Sequence, residues 1–303
     1  MSLLSTRAVG AGFLSLGIAV AVCAGPMAAS ADIVPTIGLG TASSFAVLAG
    51  STVTNTGGSV IDGDVGVSPG LAIVGYPPGH VNAPSALFAG APVDGPKADL
   101  VTAYNQAHDT PATSILPELG GQTLIPGGYF GTAHGPLQLT GDLVLDGQDN
   151  ASAVWVFQTD STLTTASGST VSFINGGSVC NVFWQVGSSA TIAGGSSFVG
   201  TVMALTSITA VTGADIEGRL LARNGAVTLD TNTIFVDPGC VTGEVIDRTE
   251  GTADSDSLEA LVASRTLAAT GVGVAPTLTV AALLGLLGVA LLAARSVVAR
   301  RRS

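Results

Sequence analysis

Basic residues are scarce in this chain, and their placement excludes more than their number does. Of ten Lys and Arg, Arg7, Arg295, Arg300, Arg301 and Arg302 sit at the extremities, whereas all 21 acids lie between Asp32 and Glu259. Residues 32–270 therefore hold five bases against 21 acids, a net charge of −16. Lys97, Arg219, Arg223, Arg248 and Arg265 form no cluster, which excludes a nucleic-acid partner, because phosphate contacts need grouped cations. Charged residues are only 10% and aromatics 5% of the chain, a composition that argues against a helical enzyme domain. Disorder is disfavoured in turn, since 47% of residues are apolar. Cys23, Cys180 and Cys240 with His80, His108 and His134 lack the spacing of a zinc site, and no cofactor is expected.

Glycine is abundant, at 41 residues, and it recurs with a period. Phe198, Ile216 and Ile234 are separated by 18 residues, as are Gly200 and Gly218, Ala204 and Ala222, and Thr191 and Thr209. Ala190, Ile208 and Ala226 keep the same step. Gln158, Ser161, Thr164 and Val171 match Gln185, Ser188, Thr191 and Phe198 at 27, the same step plus a nine-residue insertion over 174–182. Val53-Thr54 and Ile61-x-Gly63 echo Ile208-Thr209 and Ile216-x-Gly218. Such a repeat, with small corner residues, suits one turn of an all-β solenoid with three short faces. Within a face the alternation predicts Glu217 and Arg219 outside and Ile216, Gly218 and Leu220 inside. The repeat leaves the stacking order of the coils open.

Residues 96–109 break the pattern. Leu100, Val101, Tyr104 and Ala107 fall at helical spacing, with Asp94 as the predicted cap and Pro111 as the stop. An amphipathic helix here would lie along one face of the solenoid. Residues 68–95, rich in Pro and Gly, read as an irregular cap or loop. Beyond Cys240 the chain turns acidic, which suits a solvated stalk over 241–266.

Both ends read as address labels. Arg7, the apolar stretch 8–24 and Ala29-Ser30-Ala31 have the layout of a secretory signal peptide over 1–31, cut after Ala31; an uncleaved anchor is the alternative. At the other end, residues 272–294 form an apolar run long enough to cross a bilayer as a transmembrane helix, followed by the Arg cluster. Export would put Cys180 and Cys240 in an oxidising space, where a disulfide between them is expected.

The C-terminal order of Leu267-Ala268-Ala269-Thr270-Gly271, apolar span and basic tail resembles a sortase-type cell-wall sorting signal in its L-A-x-T-G variant. The resemblance implies cleavage after Thr270 and transfer of the chain by a sortase to peptidoglycan of a Gram-positive bacterium. A single membrane pass with a retained helix is the alternative.

A second resemblance covers residues 37–235. The stretches Leu39-Gly40-Thr41-Ala42-Ser43-Ser44-Phe45-Ala46-Val47-Leu48-Ala49-Gly50, Gly63-Asp64-Val65-Gly66-Val67-Ser68-Pro69-Gly70, Leu124-Ile125-Pro126-Gly127-Gly128-Tyr129 and Ala153-Val154-Trp155-Val156-Phe157-Gln158 are similar to the ice-binding protein family built on the DUF3494 domain. So is Cys180-Asn181-Val182-Phe183-Trp184-Gln185-Val186-Gly187-Ser188-Ser189-Ala190-Thr191. The resemblance implies, for residues 32–240, a right-handed, irregular three-sided β-solenoid with a long helix alongside, and a flat outer face that adsorbs to an ice crystal surface. The family's short pattern T-A/G-x-T/N is met by Thr209-Ala210-Val211-Thr212, and only at its Thr ends by Thr228-Leu229-Asp230-Thr231.

The residues favour the same face. Thr54, Thr164, Thr191 and Thr209 take corresponding positions in different coils, with Thr56, Ala166, Ala193 and Val211 two residues on and hence on the same side. Thr212, Thr228 and Thr231 complete the candidate ice-contacting set. A rigid grid of short methyl and hydroxyl groups can hold ordered water, while Glu217, Arg219 and Arg223 would mark a different, charged face. A surface adhesin or structural solenoid without ice activity is the competing reading. Gly66-Val67-Ser68-Pro69-Gly70 matches the G-x-S-x-G elbow of serine hydrolases, but Pro69 has no backbone N–H to offer an oxyanion, so no enzyme is expected. Asp62 and Asp64 read as solvated charges.

Overall fold

The computed structural model describes residues 34–241. The expected signal peptide, most of the stalk, the sorting motif and the span 272–294 lie outside the described residues. Among the described residues no helix is long and apolar enough to cross a membrane.

Apart from one α-helix and a few 3-10 turns, the regular structure of the domain is short parallel strand, arranged as coils with three faces. One face is a seven-stranded sheet in the order Leu137–Leu139, Leu163–Thr165, Ala190–Ile192, Ile208–Ala210, Val227–Leu229, Thr52–Asn55, Ala72–Val74. The other two faces join into one 15-stranded sheet, because Ser197–Ala204 and Asp215–Ala222 run unbroken around the corner between them. Gly200 and Gly218 turn that corner at φ +108° and +149°, and they are paired in register. An added Cβ at Gly218 would sit 2.0 Å from the Gly200 carbonyl oxygen, so only glycine fits.

The stack does not follow chain order. Phe45–Ala49 pairs with Asp215–Ala222, Thr52–Asn55 with Val227–Leu229, and Val60–Asp62 with Thr233–Phe235. The first coil of the chain thus lies against the last. From there the chain winds outward through Asp64–Val67, Ala72–Val74, His80–Val81 and Leu87–Ala89. These short strands give the Pro/Gly-rich segment 68–95 more regularity than its composition suggests, since each extends the ladder of one face. A helix then carries the chain back along the stack to Thr113–Ile115 at the far end. From residue 113 the coils wind back towards the first. No proline falls between Pro136 and Pro238, so those coils keep every ladder donor.

The helix is Asp94–His108. It begins where a 3-10 turn, Ala91–Val93, runs straight into it, so Asp94 already has helical φ and ψ and caps nothing. Its carboxylate instead accepts from Ser68 Oγ. Leu100, Ala103, Tyr104 and Ala107 pack on Phe45, Leu48, Val156, Phe183, Met203 and Leu221 of the sheet face beneath. That face is buried on both sides, which is why its strands are apolar runs rather than alternating ones. The repeated glutamines complete the docking. Gln158 Nε2 donates to the carbonyls of Ala107 and Thr110 at 2.7 Å, and Gln185 Nε2 donates to Tyr104 Oη at 2.7 Å. Lys97 Nζ spans the same gap to the carbonyls of Ala222 and Arg223, each at 2.6 Å.

Inside the coils, stacked side chains form the main core, with Tyr129, Phe157, Trp184 and Phe198 in one aromatic column. The nine-residue insertion forms the corner from Asn175 to the 3-10 turn Val179–Asn181. Cys180 in that turn is bonded to Cys240 in the turn Pro238–Cys240, with Cα atoms 4.9 Å apart.

Candidate functional site

On the seven-stranded face the ladder sets one residue of each coil beside the next. Gln138 pairs with Thr164, Thr164 with Thr191, Thr191 with Thr209, Thr209 with Thr228, Thr228 with Thr54, and Thr54 with Val74. The flanking residues of each strand, such as Ile208 and Ala210 or Val227 and Leu229, are buried, so the threonine between them faces water. Five consecutive coils therefore present a straight threonine column, one every 4.8 Å or so along the stack. Thr54 lies next to Thr228 rather than beside Thr164, since the first coil joins the last.

Ala166, Ala193, Val211 and Thr56 lie two residues beyond the column on the same side, half-buried or exposed. Thr228 belongs to the column itself, while Thr212 and Thr231 stand exposed at the rim. The step of 18 fails here by one residue. Ile208 pairs with Val227 and not Ala226, because residues 223–226 hold one residue more than the matching corner before Ile208. The next corner is one residue shorter and restores the register at Asp215↔Thr233. Among the described residues of this face, the charges are Asp230 at the rim and Glu118, which is bridged to Gln138 at the far end of the ladder. The Asp230 carboxylate accepts from Thr212 Oγ1 and, at 3.1 Å, from Thr231 Oγ1.

The second face carries Asp142, Asp215 and Glu217 as exposed acids. Arg219 is not among its charges. It is 1% exposed, since the chain bends at Gly218 and the simple alternation of the strand stops there. Its guanidinium donates to the carbonyls of Ser43 and Cys240 and to Thr201 Oγ1. Arg223 is half-buried, with its guanidinium 4.6 Å from the centre of the Tyr104 ring. Asp64 is likewise buried and accepts from the backbone N–H of Ala86, so it is not the solvated charge its surroundings in sequence suggest; Asp62 accepts from Asn82. Ser68 is buried against Asp94, out of reach of a substrate. Among the described residues, no group of acidic, Cys or His side chains could hold a metal.

Comparison with known proteins agrees with this architecture. The ice-binding-like family model matches residues 47–235. An ice-binding protein of Nostoc sp. (strain HG1) is 48% identical over 205 residues, covering 65% of this chain and 72% of the relative. The crystal structure of an ice-binding protein from the Antarctic ascomycete Antarctomyces psychrotrophicus shares 40% identity with a TM-score of 0.63, covering 67% of this chain and 99% of that one. That of an ice-binding protein from an Antarctic biological consortium shares 44% identity with a TM-score of 0.65, covering 68% and 93%. With matching segments, fold and coverage all in agreement, this chain belongs to the ice-binding-like family.

Proposed function

We propose that the protein adsorbs to ice through the threonine column and inhibits ice growth or recrystallisation. The observation that carries this is the in-register ladder of Thr164, Thr191, Thr209, Thr228 and Thr54, whose strands on this face carry no Lys, Arg or Glu. Parallel β pairing fixes those side chains at a repeat set by backbone hydrogen bonds, and β-branching at Cβ keeps each hydroxyl and methyl in few rotamers. Ordered water over such a surface loses little further freedom on joining a crystal. Each water contributes little, so the patch must act as a whole.

Recrystallisation inhibition by residues 32–266, with and without Thr209→Tyr, tests this reading. The bulky ring would break the plane at the middle of the column, and most of the activity should be lost with the fold intact. Glu217→Tyr, on the acidic face, should keep full activity. The reverse pattern would mean that another face touches ice.

Export and display at the cell surface are part of the same proposal, supported by the order of signal-like N-terminus, L-A-A-T-G motif, apolar run and Arg cluster. Wall digests should yield peptides ending at Thr270. Peptides from residues 296–303 recovered with the mature protein in membranes would instead indicate a retained helix.

A further inference from the structure

Thr231 occupies a corner position that other coils give to glycine. Two residues before the second-face strand stand Gly168, Gly195 and Gly213, at φ +70°, +65° and +73°. Thr231 stands two residues before Thr233 and has φ +51°. A β-branched residue in the left-handed region is strained, and such strain persists only where the surroundings enforce it. Stability alone would favour glycine here.

The surroundings are specific. The Asp230 carboxylate accepts one hydroxyl from Thr231 in its own coil and one, on its other oxygen, from Thr212 in the coil before. From the opposite side Gly57 of the first coil closes on the pair. A Cβ added there would lie 2.2 Å from Thr231 Oγ1 and 2.9 Å from Asp230 Oδ1. The backbone N–H of Asp230 is held by Asn232 Oδ1 at 2.8 Å, which fixes the corner. Two adjacent coils thus build one Thr–Asp–Thr group at the rim of the threonine face, and a third closes on it.

We propose that Asp230 is a positioning residue for the ice-contacting surface, a role that rests on the reading of this face as the adsorbing one. A free threonine hydroxyl turns among staggered positions and can offer water a donor or an acceptor. Here both protons are committed to one carboxylate, so Thr212 and Thr231 hold their lone pairs and methyl groups in a single orientation. The same two bonds occupy carboxylate oxygens that would otherwise organise water around a charge. The rim so gains a fixed acceptor pattern, and the strained Thr231 is retained because glycine supplies no hydroxyl.

Thr231→Gly and Asp230→Ala in the full chain test the idea by separating stability from activity. Thr231→Gly should have a Tm at or above the parent value, by up to about 4 °C, as the strain is relieved. The protein concentration needed to stop recrystallisation should nevertheless rise several-fold. Asp230→Ala, if folded near 0 °C, should show a similar loss, since both hydroxyls are freed. Full activity in folded Thr231→Gly, a Tm below the parent value, or activity in Asp230→Ala equal to or above the parent would each overturn the proposal. Should Asp230→Ala fail to fold, Thr231→Gly decides alone. Thr209→Tyr separates the two levels: if it stays fully active the face is wrong, and if it is inactive while Thr231→Gly is fully active only the positioning role falls.

Discussion

Arg219 donates two hydrogen bonds to the carbonyl oxygen of Ser43, 176 residues before it in the chain, at 2.9 Å from Nε and 2.7 Å from Nη2. A third, from Nη2 at 3.0 Å, reaches the Cys240 carbonyl. One buried cation thus ties the entry of the first coil to the exit of the last. Burial lowers its pKa to about 10, against the opposing pull of Asp237.

Arg219→Leu would remove these donors from two carbonyls at a buried site. We expect a loss of roughly 2–4 kcal/mol, read from urea unfolding. Arg219→Lys should recover only part of it, because an ammonium cannot span both carbonyls with a planar fork. An unchanged midpoint in Arg219→Leu would show that the tie contributes nothing.

The disulfide acts at the same place. Cys180 and Cys240 enclose 60 residues of sequence separation, and closing such a loop stabilises by about 4 kcal/mol in the chain-entropy model. Replacing both by Ser should lower the Tm and free the corner Val179–Asn181 first. Hydrogen exchange at Asn181 and Val182 would report this before global unfolding.

Lys97 gives the helix a pH dependence. Burial first, and the neighbouring Arg223 charge second, lower its pKa from the ordinary lysine value to about 8. The unfolded chain therefore binds more protons than the folded one between about pH 8 and the ordinary lysine range, so stability rises with pH across that window. Below the folded value that contribution is absent. Tyr104 and Tyr129, both pushed up by burial, act in the opposite sense once the ordinary tyrosine value is passed. Unfolding free energies measured from pH 7 to 10 should climb in the parent chain, and the climb should shrink in Lys97→Met.

Glu118 should make the far end of the stack acid-labile. Slight burial raises its pKa, but the N–H groups of Gly120 and Thr140, each at 2.8 Å, and the Thr140 hydroxyl at 3.0 Å outweigh this and hold it below the ordinary value. Its contribution is complete above the ordinary glutamate range and is lost as pH falls through the lowered value. Exchange protection at Gly120 and Thr140 should fall on acidification in the parent chain and be low at every pH in Glu118→Gln.

How far such features can be read without coordinates depends on what the backbone repeats. Thr191 and Thr209 could be aligned because equal coils put equal residues on one face, and the register of the ladder joins them. Thr228 was reachable through its own T-x-x-T pattern, although the corner before it is longer by one residue. Arg219 is not legible in the sequence: period-2 alternation places it outside, and nothing local reveals that Gly218 bends the strand. The stacking order was equally hidden, because any parallel strand of fitting pattern can pair with any other. The coil of Thr52–Asn55 looks like a sibling of Ile208–Ala210, yet only the docked structure sets it beside Val227–Leu229. The short strands of the cap left no periodic trace, being two or three residues each.

Seating the first coil against the last has a consequence for folding. Phe45–Ala49 is made early but meets one of its two neighbours, Asp215–Ala222, only after most of the domain has been synthesised. Until then an apolar strand buried on both faces in the native state has a bare edge, the situation most open to wrong pairing with another chain. Contacts this distant in sequence also slow the search, since the long loop must close before any of them is formed. Closure is thus a structural requirement: the coil ending at Phe235 pairs with Val60–Asp62, so a chain cut short of that coil leaves this edge of the first coil unpaired.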